Sequence, residues 1–356
     1  GLFGRGWASV LETRVTRTDE GAVFSMADGR EIRFASLSDE PARAESDNFW
    51  IKTCETGTAP GVQLPTGTAI LVRNNAGSWW AFTADGEWVA EGSGPGTGVS
   101  VRRNSDGKIV ALEHERGRAI TIEYSDDRVV SATASDGRRV EYIYDVLGRL
   151  CETSDAIGAR SYRYNEAGLI SAVVGASGVV EAENTYDDEG RVVLQVTEFG
   201  REVRFAYLPG RVTSVSDTDG TNSNTWVADR RGRLTGIIDG NGERITMAYD
   251  QHGNRTSVID RDGSRTESSY DERGRLTNTR LPSEGETSTS YDEFDRVATV
   301  MTSSGGVIEY GYASDYDRHP SRVIDAFGGE TTMVWHDGLL TEVVDPTGVR
   351  IVMSYD

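Results

Sequence analysis

Apolar and polar residues alternate along most of the chain with a period of two. Apolar side chains occupy every second position before a tyrosine in five segments: Val140, Tyr142 and Tyr144; Val203, Phe205 and Tyr207; Ile245, Met247 and Tyr249; Ile308, Tyr310 and Tyr312; Ile351, Met353 and Tyr355. Charged residues such as Glu141, Glu202 and Glu309 fill the positions between them. This period is typical of β-strands with one apolar and one polar face. No stretch shows a comparable helical period, so the pattern predicts an all-β protein.

An aromatic residue recurs at a nearly constant interval, and we call these positions the anchors. They follow one another every 19 to 23 residues: Tyr124, Tyr144, Tyr164, Tyr186, Tyr207, Trp226, Tyr249, Tyr270, Tyr291, Tyr312, Trp335 and Tyr355. A fixed period of this length indicates a repeat protein, in which each repeat is one supersecondary unit.

Two turns separate successive anchors. Aspartate at the first position and glycine at the fourth favour a type I turn, because the carboxylate accepts bonds from the turn's N–H groups and glycine tolerates positive φ. Turns follow the anchors at Asp145/Gly148, Asp187/Gly190, Asp250/Gly253 and Asp271/Gly274; others precede them, as at Asp155/Gly158, Asp260/Gly263 and Asp325/Gly328. The segments between turns have the length of a strand. Each repeat is therefore predicted to be an antiparallel hairpin, and the repeats are predicted to join into one long meander.

The width of this sheet has a consequence for its shape. Eleven repeats of two strands span on the order of 100 Å, and open sheets of more than about ten strands curl or split. We therefore expect the sheet to coil on itself with its aromatic face inward. A strip of this width encloses more space than its own side chains can fill, so the coil is expected to be hollow.

The region before the repeats is less regular. Residues 1–98 are predicted to form an amino-terminal β region that covers the first edge of the sheet, with Trp79, Trp80 and Trp88 clustered around one hairpin. Residues 36–66 read as an irregular insertion containing Pro41, Pro60 and Pro65. The stretch GSGPGTG at 92–98 marks the predicted boundary, and about eleven repeats occupy residues 99–356.

Charge and composition narrow the possible partners. The chain has 37 basic and 57 acidic residues, a net charge of −20, which argues against a nucleic-acid partner because phosphate binding needs clustered Lys and Arg. No apolar run has the length of a membrane-spanning helix. Because the chain begins with Gly1 rather than Met, we expect it to be part of a longer protein.

No residue pattern indicates catalysis or metal binding. Cys54 and Cys151 form no metal-ligand spacing, and the four histidines lie far apart. The segment DTDGTNSN at 217–224 lacks the third ligand and the closing glutamate of a calcium loop. The Gly-x-Ser-x-Gly turn of serine hydrolases is absent. We therefore expect no catalytic residue, metal or cofactor. The arginines that follow the turn glycines, Arg149, Arg191, Arg233 and Arg275, are expected to pair with neighbouring aspartates.

Five segments resemble the tyrosine–aspartate repeats of the Rhs family: YDVLGRL, YDDEGRV, YDQHGNR, YDERGRL and YDEFDRV. That family includes bacterial polymorphic toxins, a component of insecticidal toxin complexes and the teneurins. GLFGRGW at 1–7 and MADGREIRF at 26–34 resemble the segment that opens the repeat region in bacterial members. The resemblance implies a spiral, hollow β-shell around a C-terminal toxic domain. It also implies a bacterial protein that is secreted or displayed on the cell surface and that interacts with secretion or delivery proteins.

The chain also departs from that family. Complete shells are longer, and they end in a self-cleaving segment with the pattern Asp-Pro-x-Gly followed by a variable toxin. DPTG at 345–348 matches this pattern only locally, because it occupies an ordinary repeat turn and SYD follows at 354–356. The toxin itself is not among these residues, so the chain is predicted not to be an enzyme.

Two functions from different classes follow from the sequence. The first is encapsulation, in which the chain is part of a shell that separates a toxic cargo from the producing cell. The second is recognition, in which exposed aromatics and Asp-rich turns bind a glycan or a cell-surface protein, as in a teneurin-like adhesion module. An exposed cluster of Trp79, Trp80 and Trp88 favours recognition, whereas aromatics that face a concave interior favour the shell.

Overall fold

Antiparallel β-structure accounts for nearly all of the regular structure. The computed structural model describes residues 1–45, 47–54, 58–59, 62–94, 96–220, 222–283 and 285–355. Within these ranges the only helix is a single 3-10 turn, Val10–Glu12. The all-β prediction is therefore confirmed. Pro60, in the predicted insertion, and Pro95, in the predicted boundary, lie outside the described residues.

The chain forms two compact units. The first comprises residues 1–12, 120–248 and 258–264, and the second comprises residues 13–119, 249–257 and 265–356. The predicted boundary at 92–98 stays a prediction.

The amino-terminal part of the second unit contains twelve described strands. They are β1 Arg14–Thr18, β2 Gly21–Ser25, β3 Glu31–Phe34, β4 Ala42–Arg43, β5 Phe49–Thr53, β6 Thr58–Ala59, β7 Val62–Gln63, β8 Ile70–Asn74, β9 Trp79–Phe82, β10 Trp88–Gly92, β11 Val99–Arg103 and β12 Ile109–His114. Strands β1, β2 and β3 form a small sheet of their own, and β6 pairs with β7.

The next strands belong mostly to the first unit. They are β13 Ala119–Ser125, β14 Arg128–Ala134, β15 Arg139–Tyr144, β16 Leu150–Ser154, β17 Ala159–Tyr164, β18 Ile170–Val174, β19 Val180–Tyr186, β20 Val192–Thr197, β21 Glu202–Leu208, β22 Val212–Asp217, β23 Asn224–Ala228, β24 Leu234–Ile238, β25 Arg244–Tyr249 and β26 Arg255–Ile259.

The remaining strands complete the second unit. They are β27 Arg265–Tyr270, β28 Leu276–Arg280, β29 Glu286–Tyr291, β30 Val297–Met301, β31 Val307–Gly311, β32 Arg322–Ile324, β33 Glu330–His336, β34 Leu339–Val344 and β35 Arg350–Val352.

The strand order of the large sheet is that of a meander. Its described strands follow the order β4, β5, β8, β9 and then β10 to β35 in chain order, so each repeat is one antiparallel hairpin, as predicted. The register shifts by one residue at several anchors: Ile143 pairs with Glu152, whereas Tyr144 pairs with Leu150. The same shift occurs at Tyr164. A type I turn followed by a glycine bulge produces this geometry, because the extra residue adds to one strand only.

Most of the fully buried apolar side chains among the described residues lie in the amino-terminal part of the second unit. There Phe24 of the small sheet lies 5.3 Å from Trp80 and 5.6 Å from Phe82, measured between ring centroids. Ile51 and Val72 on the facing strands are fully buried. Two sheets packed face to face remove both apolar faces from water, which explains this burial.

The repeats are buried differently. In β15 the exposed residues Arg139, Glu141 and Ile143 alternate with the half-buried Val140, Tyr142 and Tyr144. Full burial is confined to a few repeat residues such as Leu150. The tyrosine-bearing face of the repeats, which we call the tyrosine face, is therefore shielded but not packed as a closed core.

Candidate functional site

The anchor side chains hold neighbouring repeats together. A tyrosine hydroxyl donates to a backbone carbonyl 14 to 16 residues earlier, over 2.6 to 2.9 Å. The bonds join Tyr144 to Val129, Tyr164 to Leu150, Tyr186 to Ile170, Tyr207 to Val192, Tyr270 to Arg255, Tyr291 to Leu276, Tyr312 to Val297 and Tyr355 to Leu340. Each acceptor lies at or beside the start of a strand in the preceding hairpin, so the bond fixes the spacing of the hairpins.

The turn after the anchor is closed by its aspartate. Oδ1 of Asp145 accepts the backbone N–H groups of Leu147 and Arg149, both at 2.9 Å, and Gly148 adopts a φ of +73°. The same two backbone bonds form at Asp187, Asp250 and Asp271. The glycine φ is +76° at Gly190, +90° at Gly253 and +74° at Gly274.

The arginine after each turn links that turn to the next anchor. Arg149 donates Nε to Oδ2 of Asp145 at 2.7 Å, and its guanidinium carbon lies 4.6 Å from the ring centre of Tyr164. Arg191, Arg275 and Arg296 repeat both contacts with the corresponding aspartate and the following anchor. A guanidinium held by a carboxylate and stacked on an aromatic ring stabilises both partners. We call this recurring set the tyrosine–arginine ladder.

Some anchors depart from the ladder. Asn254 replaces the arginine and donates Nδ2 to Asp250 at 2.8 Å. Trp335 keeps the anchoring bond through Nε1, which donates to the Pro320 carbonyl at 2.9 Å, and His319 stacks on its ring at 4.4 Å. Trp226 lies in β23, where it pairs with Thr213 and Ile237.

The amino-terminal segment lies on the tyrosine face of the first unit. The ring of Phe3 contacts Tyr142 at 4.9 Å and that of Trp7 contacts Tyr162 at 5.1 Å. Nε1 of Trp7 also approaches the Tyr164 hydroxyl at 3.3 Å. Sequence reasoning missed this contact. The aromatic spacing of GLFGRGW was the available signal, because its two large rings have no local strand partner.

A seam joins the early turns of the second unit to its late repeats. Nδ2 of Asn75 donates to the Arg273 carbonyl at 2.7 Å, and Nε of Arg116 donates to the Asp337 carbonyl at 2.9 Å. Nδ2 of Asn48 donates to Asn254 at 2.7 Å. Partners in the seam are about two hundred residues apart in the chain. These contacts use turn ends rather than the faces of the sheet.

A pocket of about 410 Å³ opens at this seam. On one side Trp50, Lys52, Leu71 and Arg73 project from the same face of β5 and β8, because Trp50 pairs with Arg73 and Lys52 with Leu71. This is the face opposite the one that Phe24 covers. The other side is formed by the turn residues Arg273, Glu293 and Asp295.

Asp295 is an exception within the repeat pattern. It occupies the turn position that is glycine in the neighbouring repeats and adopts a φ of +64°. Its carboxylate forms ion pairs with Arg273 at 2.8 Å and with Arg275 at 2.9 Å. Left-handed backbone is costly for a residue with a Cβ, so these ion pairs accompany a locally unfavourable conformation.

Arg73 is a half-buried cation of the pocket. Burial lowers the pKa of its guanidinium, the Asp295 carboxylate opposes that change, and the nearby Arg318 and Arg273 lower the pKa further. Lys52, Arg73 and Arg273 thus line the pocket together with Glu293 and Asp295.

The tryptophan cluster named from the sequence does not form an exposed patch. Trp79 is 7% exposed and Trp88 is 1% exposed, and Trp80 packs between Phe24 and Phe49.

The features that could suggest catalysis have ordinary surroundings. Oδ1 of Asp345 accepts the backbone N–H groups of Thr347 and Val349 and lies in a regular turn. Its pKa is lowered, chiefly by the Thr347 side chain and the Val349 amide. Cys54 and Cys151 are free thiols. Among the described residues no three His, Cys, Asp or Glu side chains are arranged to hold a metal ion.

In the part of the chain that the structure describes, there is no helix with the length and apolar character to cross a bilayer.

Two family descriptions match the sequence. Teneurin YD-shell matches residues 101–266, and RHS Repeat matches residues 270–308. Together they span more than half of the 356 residues. No curated protein matches the chain.

Solved toxin-complex structures are similar to the chain at low identity. The TcdB2–TccC3–Cdc42 structure is 11% identical, with 91% of this chain and 19% of that chain covered and a TM-score of 0.47. TcdB2–TccC3 without its hypervariable C-terminal region is 12% identical, with 91% and 22% covered and a TM-score of 0.41. A TccC3 mutant of the Photorhabdus luminescens Tc holotoxin pore is 10% identical, with 94% and 23% covered and a TM-score of 0.29. The chain spans about one fifth of the length of these proteins.

Proposed function

Because the chain belongs to the YD-repeat (Rhs) family, we propose that it forms part of the wall of a hollow β-shell. The shell encloses the C-terminal toxic domain of a longer bacterial protein that is secreted or displayed on the cell surface and engages delivery proteins. The chain itself performs no chemistry and needs no cofactor. Residues 1–98 begin the wall, and the repeats of 99–356 continue it.

The observation that carries this proposal is the tyrosine face. Its rings are half-buried, and its hydroxyls already donate to backbone carbonyls of the sheet, as Tyr144 does to Val129. In β15 this face is therefore apolar and makes few specific polar demands on a neighbour. Such a surface suits a partly unfolded polypeptide better than one ligand of fixed shape.

The seam gives the proposal a second support. Turn ends about two hundred residues apart meet through bonds such as Asn75 to Arg273 and Arg116 to Asp337. Contacts between turn ends so far apart in the chain are what a coiled wall would require, and they support the proposal from within the second unit.

The tryptophan cluster that would have favoured the adhesion alternative is not exposed as that alternative requires. Trp79 and Trp88 are buried in the second unit, so they offer no exposed aromatic cluster to a glycan or a receptor.

A scattering measurement tests the shell. A compact globule of 356 residues has a radius of gyration of about 20 Å, and a curved wall without a filled interior has a larger one. We expect small-angle X-ray scattering on monomeric protein to give a clearly larger value. A monomer at the globular value would contradict the proposal.

A guest-binding assay tests the inner surface. A hydrophobic dye should bind the chain, and a permanently unfolded polypeptide should displace the dye, whereas the folded form of that polypeptide should not.

Residues 1–356 expressed in bacteria should leave growth unchanged and show no hydrolase, nuclease or transferase turnover. Killing or turnover that one point mutation abolishes would refute the container function.

A further inference from the structure

One repeat of the first unit lacks the arginine of the tyrosine–arginine ladder. In four other repeats the residue after the turn is an arginine whose guanidinium carbon lies 4.0 to 4.6 Å from the ring centre of the next anchor. Leu169 occupies this position after the turn at 165–168, and Tyr186 is the next anchor. Among the described residues, none places a guanidinium over the Tyr186 ring. The ladder is therefore interrupted at this repeat.

The backbone around the interruption keeps the repeat geometry. Oδ1 of Asn165 accepts the backbone N–H of Leu169 at 2.9 Å, and the Tyr186 hydroxyl donates to the Ile170 carbonyl at 2.6 Å. The Leu169 side chain points towards the next turn, because its Cδ1 lies 3.4 Å from the place that a Cβ on Gly190 would take. The repeat thus differs from its neighbours in a side chain that is shorter and carries no charge.

A pocket of about 640 Å³ opens at the interruption. The apolar part of its lining includes Tyr186 and Leu169. Its charged lining residues are Asp187, Asp188 and Glu189, and none of the described residues that line it is basic. An aromatic ring beside carboxylates is the environment in which the other repeats hold their guanidinium groups.

The acidic lining is only partly neutralised from within the chain. Arg191 pairs with Asp187 at 2.7 Å and with Glu189 at 3.0 Å, so one cation serves two carboxylates. The same guanidinium stacks on the next anchor, Tyr207. Asp188 is exposed and forms no ion pair with any described residue. A further cation at this pocket would therefore meet an excess of negative charge.

The second unit shows how a distant arginine serves a turn that lacks its own. Asn254 replaces the ladder arginine there, and Arg43 approaches from β4. Burial lowers the pKa of Arg43, while the carboxylates of Asp250 and Asp271 oppose that change. Nη1 of Arg43 also donates to the Glu272 carbonyl at 3.3 Å, across 229 positions of the chain. A guanidinium from a remote segment thus lies beside an interrupted repeat.

We propose that the pocket at Tyr186 binds an arginine side chain of another polypeptide. The guanidinium stacks on the Tyr186 ring and pairs with the Asp188 carboxylate, and Leu169 contacts the aliphatic part of the arginine. The pocket is larger than one guanidinium group, so it also admits the residues that flank the arginine. The proposal rests on the ladder and does not depend on whether the shell encloses a cargo.

Calorimetric titration of the whole chain with matched peptides tests the site. The probe is a capped tripeptide with arginine at its centre, and the control carries citrulline there, which has the same shape without the charge. The arginine peptide should bind at least about tenfold tighter, and its affinity should fall as salt increases. Equal binding of the two peptides, or no saturable binding of the arginine peptide, would overturn the proposal.

Free arginine amide distinguishes a polypeptide partner from a small guanidinium compound. It lacks the flanking residues, so it should bind more weakly than the tripeptide. Equal or tighter binding of the free amide would contradict the assignment of the site to a polypeptide.

Variants locate the site. Leu169→Arg supplies the missing guanidinium within the chain, so it should weaken binding of the arginine peptide by about tenfold or more and raise the thermal midpoint. Leu169→Met is the matched control and should change neither. Asp188→Asn should weaken binding, whereas Glu198→Gln, at another exposed turn of the same unit, should not. If Leu169→Arg does not fold, the two acidic-site variants still decide, and equal affinity in both would refute the site.

Discussion

The carboxylate of Asp295 accepts a hydrogen bond from Nη1 of Arg275 at 2.9 Å. Asp295 occupies a turn position that is glycine in the neighbouring repeats. Arg275 in turn pairs with Asp271 and stacks on Tyr291, so one guanidinium joins two successive turns and an anchor. Asp295 also pairs with Arg273 at the seam. A single departure from the repeat thus links the ladder to the seam.

Replacing Asp295 by asparagine should show how much its charge, apart from its backbone conformation, contributes to the free energy of unfolding. Asparagine tolerates positive φ as aspartate does, so Asp295→Asn removes only the charge. Both Asp295 and Arg275 are largely buried, and we expect a loss of about 1 kcal/mol in the free energy of unfolding by urea. Asp295→Gly should lose less, because glycine relieves the left-handed backbone. An asparagine variant as stable as the parent chain would show that the ion pairs contribute nothing.

Tyr144→Phe should cost about 1 kcal/mol near neutral pH, because it removes the bond to the Val129 carbonyl. Burial raises the pKa of Tyr144 to about 12, with Arg128 opposing the change. A tyrosine whose pKa is raised on folding contributes stability below its ordinary value of 10.0, and that contribution is lost as the pH rises towards the folded value. The difference between the two proteins should therefore narrow above pH 10.0. Tyr316→Phe, at an exposed site, is the control; a pH-independent difference would contradict the prediction.

Two turn glycines should respond differently to alanine. Gly168 adopts a φ of +79° with open space beside it, so Gly168→Ala should cost about 1 kcal/mol through backbone strain alone. Gly274 has a φ of +74°, and a Cβ there would meet Arg43 and Asn48 at the seam. Gly274→Ala should therefore cost more than Gly168→Ala in urea unfolding. Equal losses would mean that the seam tolerates the extra methyl group.

The turn aspartates should make the protein acid-sensitive. The backbone N–H of Arg191, and then its side chain, lower the pKa of Asp187 below the ordinary 3.8. A lowered pKa contributes stability above the ordinary value, and this is lost as the pH falls through the folded value. In an acid titration below pH 3.8 followed by circular dichroism, Asp187→Asn should lose less stability than the parent chain. Asp188→Asn, at the exposed next residue, is the matched control and should lose as much stability in acid as the parent chain.

Removing Trp7 should uncover part of the tyrosine face. Trp7→Ala deletes the contacts with Tyr162 and Tyr164, and we expect a loss of about 3 kcal/mol together with increased binding of a hydrophobic dye. Arg5→Ala changes an exposed residue of the same segment and should do neither. Unchanged dye binding in the Trp7 variant would show that the segment does not shield the face.

The sequence by itself determined the meander, because its signals are local. Alternation at Val140, Tyr142 and Tyr144 requires only neighbouring residues, and the Asp145–Gly148 turn is closed by bonds within five positions. The pairing of the turn arginines with their aspartates was predictable for the same reason, since the partners are four residues apart.

Only the tertiary structure decided what lies on the tyrosine face and at the seam. Trp7 meets Tyr164 across more than 150 residues, and Asn75 meets Arg273 across nearly 200. From the sequence, Arg273 reads as a replaceable turn residue; its ion pair with Asp295 depends on how two successive turns are spaced. Alternation and turn chemistry specify each hairpin but not which distant turn ends meet. That choice depends on the accumulated twist of many strands, which no local pattern encodes.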